Sequence, residues 1–139
     1  MKKILVALCA FALTTTAVAQ QLKADEAVKF TQTKHDFGKI KQGVPVTYDF
    51  EFINLSSKPV VIESATASCG CTTPSWPKTP ISKNKKDKIS AGFNAAAPGA
   101  FDKTITVKVT GYEQPIELRI NGEVLNAEDY AKYEATKKN

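Results

Sequence analysis

Apolar and polar side chains alternate along several short stretches of this chain. The clearest stretch is 46–52, where valine, tyrosine and phenylalanine occupy every second position and Thr47, Asp49 and Glu51 lie between them. The same alternation recurs in residues 88–93, 104–109 and 116–121. Because successive side chains of a strand point to opposite faces, each stretch predicts a strand with one buried face and one solvated face.

Weaker apolar signals predict further short strands at residues 28–33, 37–40 and 60–62, and glycine or proline interrupts the chain between most stretches. About seven short strands with frequent turns, and no segment of helical period between them, predict an all-β, immunoglobulin-like antiparallel β-sandwich. We expect this domain to cover residues 28–125. Asn126 is a suitable N-cap for a short helix, so residues 126–139 are expected to form a short helix or a disordered tail.

The chain begins with a basic and then apolar leader. Lys2 and Lys3 precede an apolar run that ends near Leu13, and small residues occupy positions 17 and 19. This order is typical of a secretory signal peptide covering residues 1–19, cleaved between Ala19 and Gln20. The apolar run is shorter than the roughly 20 residues that span a membrane. We therefore expect an exported protein, periplasmic or extracellular, with no integral membrane span after processing and a flexible lead-in at residues 20–27.

Composition excludes some functions. The chain has 19 basic and 14 acidic residues and a formal net charge of +5, without an arginine-rich face that carries interleaved aromatic residues. We therefore predict no binding of nucleic acid. The sequence also lacks a glycine-rich phosphate loop and a nucleophile elbow, and its one histidine has no nucleophile at a recognisable spacing. No enzymatic activity is predicted.

Cys69 and Cys71, separated by Gly70, are the two cysteines expected in the mature protein, because Cys9 lies within the signal peptide. Thiols of exported proteins tend to pair. Fully extended, the two Cα atoms would lie about 6.6–7.2 Å apart, at the upper limit for a disulfide, but Gly70 can bend the chain. A disulfide here would be strained and easily reduced. The pair predicts a redox-active dithiol, a static bridge or two packed thiols.

Metal binding is a further interpretation of the same cysteines. Two thiolates together with His35, the only histidine, would form a soft site suited to copper(I) or zinc. Such a site requires the fold to bring His35 to the thiols. Otherwise His35 belongs to a local turn in which Asp36 fixes the ring or accepts backbone N–H groups. The primary expectation is no cofactor, with copper or zinc as the alternative.

Trp76 lies in the segment 74–80, which three prolines stiffen. An exposed tryptophan on a stiff loop would be a good binding anchor. A tryptophan folded back over the edge of the sandwich would instead extend the hydrophobic core. Both interpretations remain open from the sequence.

Several motifs occur in a characteristic order. The sequence HDFG at 35–38 is followed by the aromatic strand 48–52, by SCGCT at 68–72 and by Trp76-Pro77. This order resembles the domain of unknown function 1573, a family of exported bacterial proteins related to Hydin-like and PapD-like immunoglobulin domains. The resemblance covers residues 30–124. It implies a β-sandwich and export, and it supplies no activity because the family has no established one.

Together these features predict a non-catalytic interaction module of the cell envelope. Such a module would bind another envelope or surface protein through a sheet edge or through the loop from Cys69 to Trp76, since an open sandwich leaves strand edges available for pairing. The alternative function is thiol redox chemistry or soft-metal binding at Cys69 and Cys71.

Overall fold

Eight strands and two short helices make up residues 23–137, the part of the chain that this computed structural model describes. The strands are β1 (Val28–Phe30), β2 (Lys34–Lys41), β3 (Val46–Asn54), β4 (Ile62–Ala67), β5 (Thr72–Ser75), β6 (Lys86–Phe93), β7 (Gly99–Val109) and β8 (Ile116–Leu125). The helices are α1 (Ala24–Ala27) and α2 (Ala127–Lys137). The predicted signal peptide and its cleavage site between Ala19 and Gln20 lie outside the described residues.

The strands form two four-stranded sheets, one in the order β1-β3-β6-β5 and the other in the order β2-β8-β7-β4. The predicted immunoglobulin-like sandwich is therefore confirmed. The pairing is antiparallel except between β2 and β8, which run parallel. Local alternation carries no information about strand direction, so the sequence did not reveal this pair. It also missed β5, because Pro74 interrupts that strand and proline lacks the N–H that a sheet requires.

The core lies between the two sheets and contains the inward-facing residues that alternation marked. Phe50 on β3, Ile89 on β6, Ile105 on β7 and Leu118 on β8 are all 0% exposed. Their polar neighbours along each strand face solvent or lie near the surface. This burial drives the association of the two sheets, because each fully buried side chain of this size contributes about 1.5–3 kcal/mol.

Both ends of the described chain are ordered into helices. Of the expected lead-in at residues 20–27, residues 20–22 lie outside the described part, and residues 24–27 form the single turn α1, in which Ala24 and Ala27 are buried. Asn126 caps α2 as its position predicted, since its Oδ1 accepts a hydrogen bond from the Asp129 N–H at 2.9 Å. The helix then continues to Lys137. Neither α1 nor α2 is long and apolar enough to cross a membrane.

Candidate functional site

The segment Ser68–Cys71 carries the chain from β4, at the edge of one sheet, to β5, at the edge of the other. Ser68 is tied to β7 twice, because its N–H donates to the Thr104 carbonyl at 2.9 Å and its Oγ accepts the Thr104 N–H at 3.2 Å. The Thr72 N–H donates to the Cys69 carbonyl at 3.3 Å. The cysteines therefore lie in an anchored turn between two sheets rather than on one strand.

A disulfide joins Cys69 and Cys71, whose Cα atoms lie 5.4 Å apart. The turn has shortened the separation expected for an extended chain to an ordinary disulfide distance. Gly70 does not have the left-handed backbone that glycine favours, and a Cβ built on it meets nothing within 4 Å. The oxidised turn thus places no steric demand for glycine at position 70.

The disulfide is expected to add little to the stability of the fold. A bridge between residues separated by 2 positions closes a very short loop, and the chain-entropy relation gives about 1.6 kcal/mol for three residues. We predict that replacing both Cys69 and Cys71 with serine leaves a folded protein that is less stable by about 1–2 kcal/mol. Urea unfolding of the two proteins without reductant checks this value. A double variant that does not fold would show that the bridge is a structural staple.

Cys71 also lines a cleft of about 220 Å³ at the end of the sandwich, together with Phe93, Pro98, Phe101 and Lys103. The Phe93 and Phe101 rings stack with their centroids 4.0 Å apart. Cys69 does not line this cleft. A volume of this size is smaller than a typical site for a drug-sized ligand, and it suits one or two side chains of a polypeptide.

The loop at residues 94–98, which connects β6 to β7 and borders the cleft, is held by three hydrogen bonds. The Asn94 N–H donates to the Cys71 carbonyl at 3.1 Å, and the Asn94 Oδ1 accepts the Ala96 N–H at 3.1 Å. The Gly43 N–H donates to the Ala95 carbonyl at 2.9 Å. Ala95 is fully buried and has a φ of 50°, a left-handed conformation that costs energy for alanine. The cleft is therefore shaped before anything enters it.

His35 lies in an aromatic group away from the disulfide. Its ring stacks on Tyr48 at a centroid distance of 3.6 Å and meets the edge of Phe37 at 4.7 Å. Burial against these rings lowers the pKa of His35, and the negative charge of Asp36 opposes this effect only in part. The Asp36 carboxylate accepts the Gly38 N–H at 2.7 Å, so it forms a local turn, as one interpretation of the sequence predicted.

The structure does not assemble the metal site predicted from His35, Cys69 and Cys71. Within residues 23–137, no three His, Cys, Asp or Glu side chains lie close enough together to hold a metal ion. The physical reasons are that the two sulfurs are bonded to each other and that His35 packs against Tyr48. Spacing along the chain could not show where the fold places a single histidine.

Trp76 folds back over the sandwich instead of projecting as an exposed anchor. It is partly buried and packs against the hydrophobic core. The Lys78 Nζ lies 3.1 Å from the centroid of the indole ring, a cation–π contact. The indole Nε1 is buried without a hydrogen-bond partner among the described residues. Trp76 therefore extends the hydrophobic core, which is the second of its two interpretations from the sequence.

Three of the four sheet edges carry features that oppose pairing with another chain. The edge strand β1 has only 3 residues, and β5 contains Pro74. The edge strand β2 carries Lys34, Lys39 and Lys41, and α2 packs beside it with Tyr133 near the Lys39 ammonium. Short strands, prolines and lysines are the usual protection of an exposed edge.

The fourth edge, β4, lacks this protection. Its sequence is IESATA, with Glu63 as its one charged residue and no lysine, proline or glycine. The hydrogen bond from the Ser68 N–H to the Thr104 carbonyl fixes which residues of β4 bond to β7, because these residues alternate along an antiparallel pair. Thr66 bonds to β7, whereas the N–H and C=O groups of Ala65 and Ala67 point away from β7. No other described backbone segment bonds to residues 63–67. The sequence predicted binding at a sheet edge but could not show which edge is open.

Comparison of the sequence with family models gives a match to the family described as "Protein of unknown function (DUF1573)" over residues 28–124. This match confirms the resemblance seen in the sequence motifs. A search of curated proteins finds no significant match.

Solved structures share the fold at low sequence identity. The chain is similar to a PapD-like domain of human CEP192, with a TM-score of 0.63, 11% identity and coverage of 73% of this chain and 87% of that chain. A protein of unknown function from Porphyromonas gingivalis W83 gives 0.59 and 13%, with coverage of 70% and 46%. A family 123 glycoside hydrolase from Clostridium perfringens gives 0.58 and 17%, with coverage of 70% and 24%.

These similarities establish the fold alone. This chain spans less than half of the Porphyromonas protein and about a quarter of the hydrolase, so the hydrolase match concerns only a small part of that enzyme. The immunoglobulin-like fold and the family match fit a non-catalytic module.

Proposed function

The chain belongs to the DUF1573 family, and we propose that it is an exported, non-catalytic interaction module of the cell envelope. Its partner is another envelope polypeptide, which adds an extended segment to the open edge of β4. The leader at residues 1–19 and the paired cysteines support export.

One observation carries the choice of β4. Of the N–H and C=O groups that point away from β7, those of Ala67 are half-buried and bond to no described backbone, whereas Ala65 is only 3% exposed. The free template for a further strand therefore lies at the Ala67 end of β4. The side chains of this strand are mostly small, so an incoming backbone can approach to the usual strand spacing of about 4.8 Å. Main-chain hydrogen bonds then give affinity in the manner of other strand-addition interfaces.

The partner should contribute mainly backbone groups and a weakly polar side-chain pattern. Ala65 faces the core, whereas Thr66 and Glu63 are exposed beside the edge. An added strand therefore meets a hydroxyl and a carboxylate on the solvent face rather than an apolar patch. Threonine, serine or lysine on the same face of the partner strand would complement them.

The substitution Ala67→Pro tests this proposal. Proline removes the outward N–H of residue 67, at the half-buried end of β4, but no hydrogen bond to β7, so the fold should tolerate it as edge strands tolerate proline. The matched control is Lys34→Pro, at the start of the other edge of the same sheet. Tagged wild-type and variant proteins are expressed in the native host, crosslinked in the envelope and recovered, and co-purified proteins are quantified by mass spectrometry.

We expect a specific envelope protein to be recovered with wild-type and Lys34→Pro proteins and to fall by about tenfold or more with Ala67→Pro, since a lost backbone hydrogen bond and a blocked edge each weaken pairing. Circular dichroism and urea unfolding establish that both variants are folded. Equal recovery with all three proteins would contradict binding at β4, and loss only with Lys34→Pro would move the interface to β2.

A further inference from the structure

The disulfide and the cleft together support an inference that goes beyond partner binding and does not depend on the β4 edge. Cys71 lines the cleft and Cys69 does not, so the two cysteines are in different surroundings. Neither cysteine is fully buried. The bridge itself adds little stability, as argued above from the shortness of its loop.

The surroundings of Cys69 suit a leaving thiolate. The Thr72 hydroxyl lies 3.8 Å from the Cys69 Sγ, and because a disulfide sulfur carries no hydrogen, the hydroxyl is the donor. Thr72 is 3% exposed, so this contact is shielded from water. A hydrogen bond to sulfur becomes stronger when the sulfur gains negative charge. A thiol with a lowered pKa also leaves a disulfide faster.

The surroundings of Cys71 suit the approach of a thiol on a polypeptide. Phe93, Phe101 and Pro98 give the cleft apolar walls that can hold a hydrophobic side chain next to the reacting cysteine. Lys103 on the same cleft contributes a positive charge that attracts an incoming thiolate. The rigid loop over the cleft keeps this arrangement in place.

We propose that this site carries out thiol–disulfide exchange with polypeptides that present two thiols beside apolar residues. A substrate thiolate enters the cleft and attacks the Cys71 Sγ, and the bond to Cys69 breaks. The Cys69 thiolate leaves with the electron pair, accepts the Thr72 hydrogen bond and takes a proton from water.

The second substrate thiolate then attacks the substrate sulfur of the mixed disulfide. Cys71 leaves as a thiolate and is protonated, so the substrate is oxidised to a disulfide and this protein is reduced to a dithiol. Two electrons and two protons thus pass from the substrate to the protein in one stoichiometric exchange.

Gly70 fits this exchange better than it fits a static bridge. Neither its φ nor its packing requires glycine in the oxidised turn, so its freedom matters when the ring is open. In the dithiol state a glycine lets the chain extend and separate the two thiols. Gly70→Ala should restrict the open state and favour ring closure by about two- to fivefold, because such substitutions act on the less ordered state.

The test uses the oxidised full-length mature protein and two synthetic peptides. One peptide carries two cysteines flanked by phenylalanine, and the other has serine in place of each phenylalanine. The rate is followed by mass spectrometry after acid quenching, and the mixed disulfide is trapped with an alkylating reagent and mapped. The apolar peptide is expected to react about tenfold faster or more, because burial of an aromatic side chain favours its binding, and the mixed disulfide should map to Cys71.

Two variants examine the leaving group. Thr72→Val should slow the exchange by about two- to tenfold, the value of one ordinary hydrogen bond, and Thr72→Ser should restore it. Thr106→Val, on β7 and outside the cleft, is the control for a lost threonine hydroxyl. Equal rates for the two peptides, a mixed disulfide only at Cys69, or no exchange with either peptide would overturn the proposal, and none of these results bears on binding at β4.

Discussion

Replacing Asn54 with alanine is expected to lower the free energy of unfolding by about 3–4 kcal/mol. Asn54 is 0% exposed and lies at the end of β3. Its Nδ2 donates to the carbonyls of Lys58 and Ile81, both at 2.9 Å, and its Oδ1 accepts the Ser56 N–H at 2.8 Å. Alanine leaves these partly buried groups without their partner, which costs about 1–3 kcal/mol for each group that water cannot reach.

The position of Asn54 explains why the loss of its side chain should weaken several segments of the fold together. The side chain joins the loop after β3 to Ile81, and Ile81 in turn pairs with Val60 just before β4. Asn94→Ala is the matched control, because Asn94 is exposed and its side chain makes one local hydrogen bond to the Ala96 N–H. Urea unfolding monitored by tryptophan fluorescence measures both. A loss below about 1 kcal/mol for Asn54→Ala would contradict this role.

Gly122→Ala is expected to destabilise the protein by about 1–3 kcal/mol through overpacking. Gly122 lies on β8 opposite Phe101 of β7. A Cβ built at this position would lie 2.8 Å from the Gly38 carbonyl oxygen and 2.9 Å from two atoms of the Phe101 ring. One of these neighbours is backbone on β2, so the strand itself must move to accept the methyl group.

The same substitution should also disturb the cleft, because the Phe101 ring is one of its walls. Gly70→Ala is the matched control, since a Cβ there meets nothing within 4 Å and its φ is not left-handed. Thermal unfolding of the oxidised variants compares the two positions. If Gly122→Ala is as stable as Gly70→Ala, the close contact between β2, β7 and β8 is not a constraint on the fold.

Most of the fold could be predicted from alternation, because the apolar positions of a half-buried strand mark the face that it buries. The four stretches around Phe50, Ile89, Ile105 and Leu118 are strands whose predicted apolar faces form the core. Features that depend on residues distant in the sequence could not be predicted from alternation. The parallel pairing of β2 with β8 joins the two ends of the domain, and the burial of Ala24 and Ala27 depends on what they pack against.

The site was predictable only where its chemistry is local in sequence. Cys69 and Cys71 marked a candidate disulfide because they are neighbours, and the structure joins them. The contributions of Phe101 and Lys103 were missed, since the fold brings them to the cysteines from β7. Thr72 directly follows Cys71, but only the folded turn shows that its hydroxyl lies near the Cys69 sulfur. The sequence did contain one signal for Lys103. Together with Phe101 and Ile105 it occupies every second position in this part of β7, so it lies on the strand face that these two residues turn inward.

The most direct test of the proposed function is site-specific photocrosslinking in living cells of the native host. A benzophenone amino acid is introduced at position 66, exposed on β4, or at position 41, exposed on β2. Binding of an extended segment at β4 predicts one discrete crosslinked product from position 66 and none from position 41, with the same product lost when Ala67→Pro is added. A product from position 41 alone, or equal products from both positions, would contradict the account.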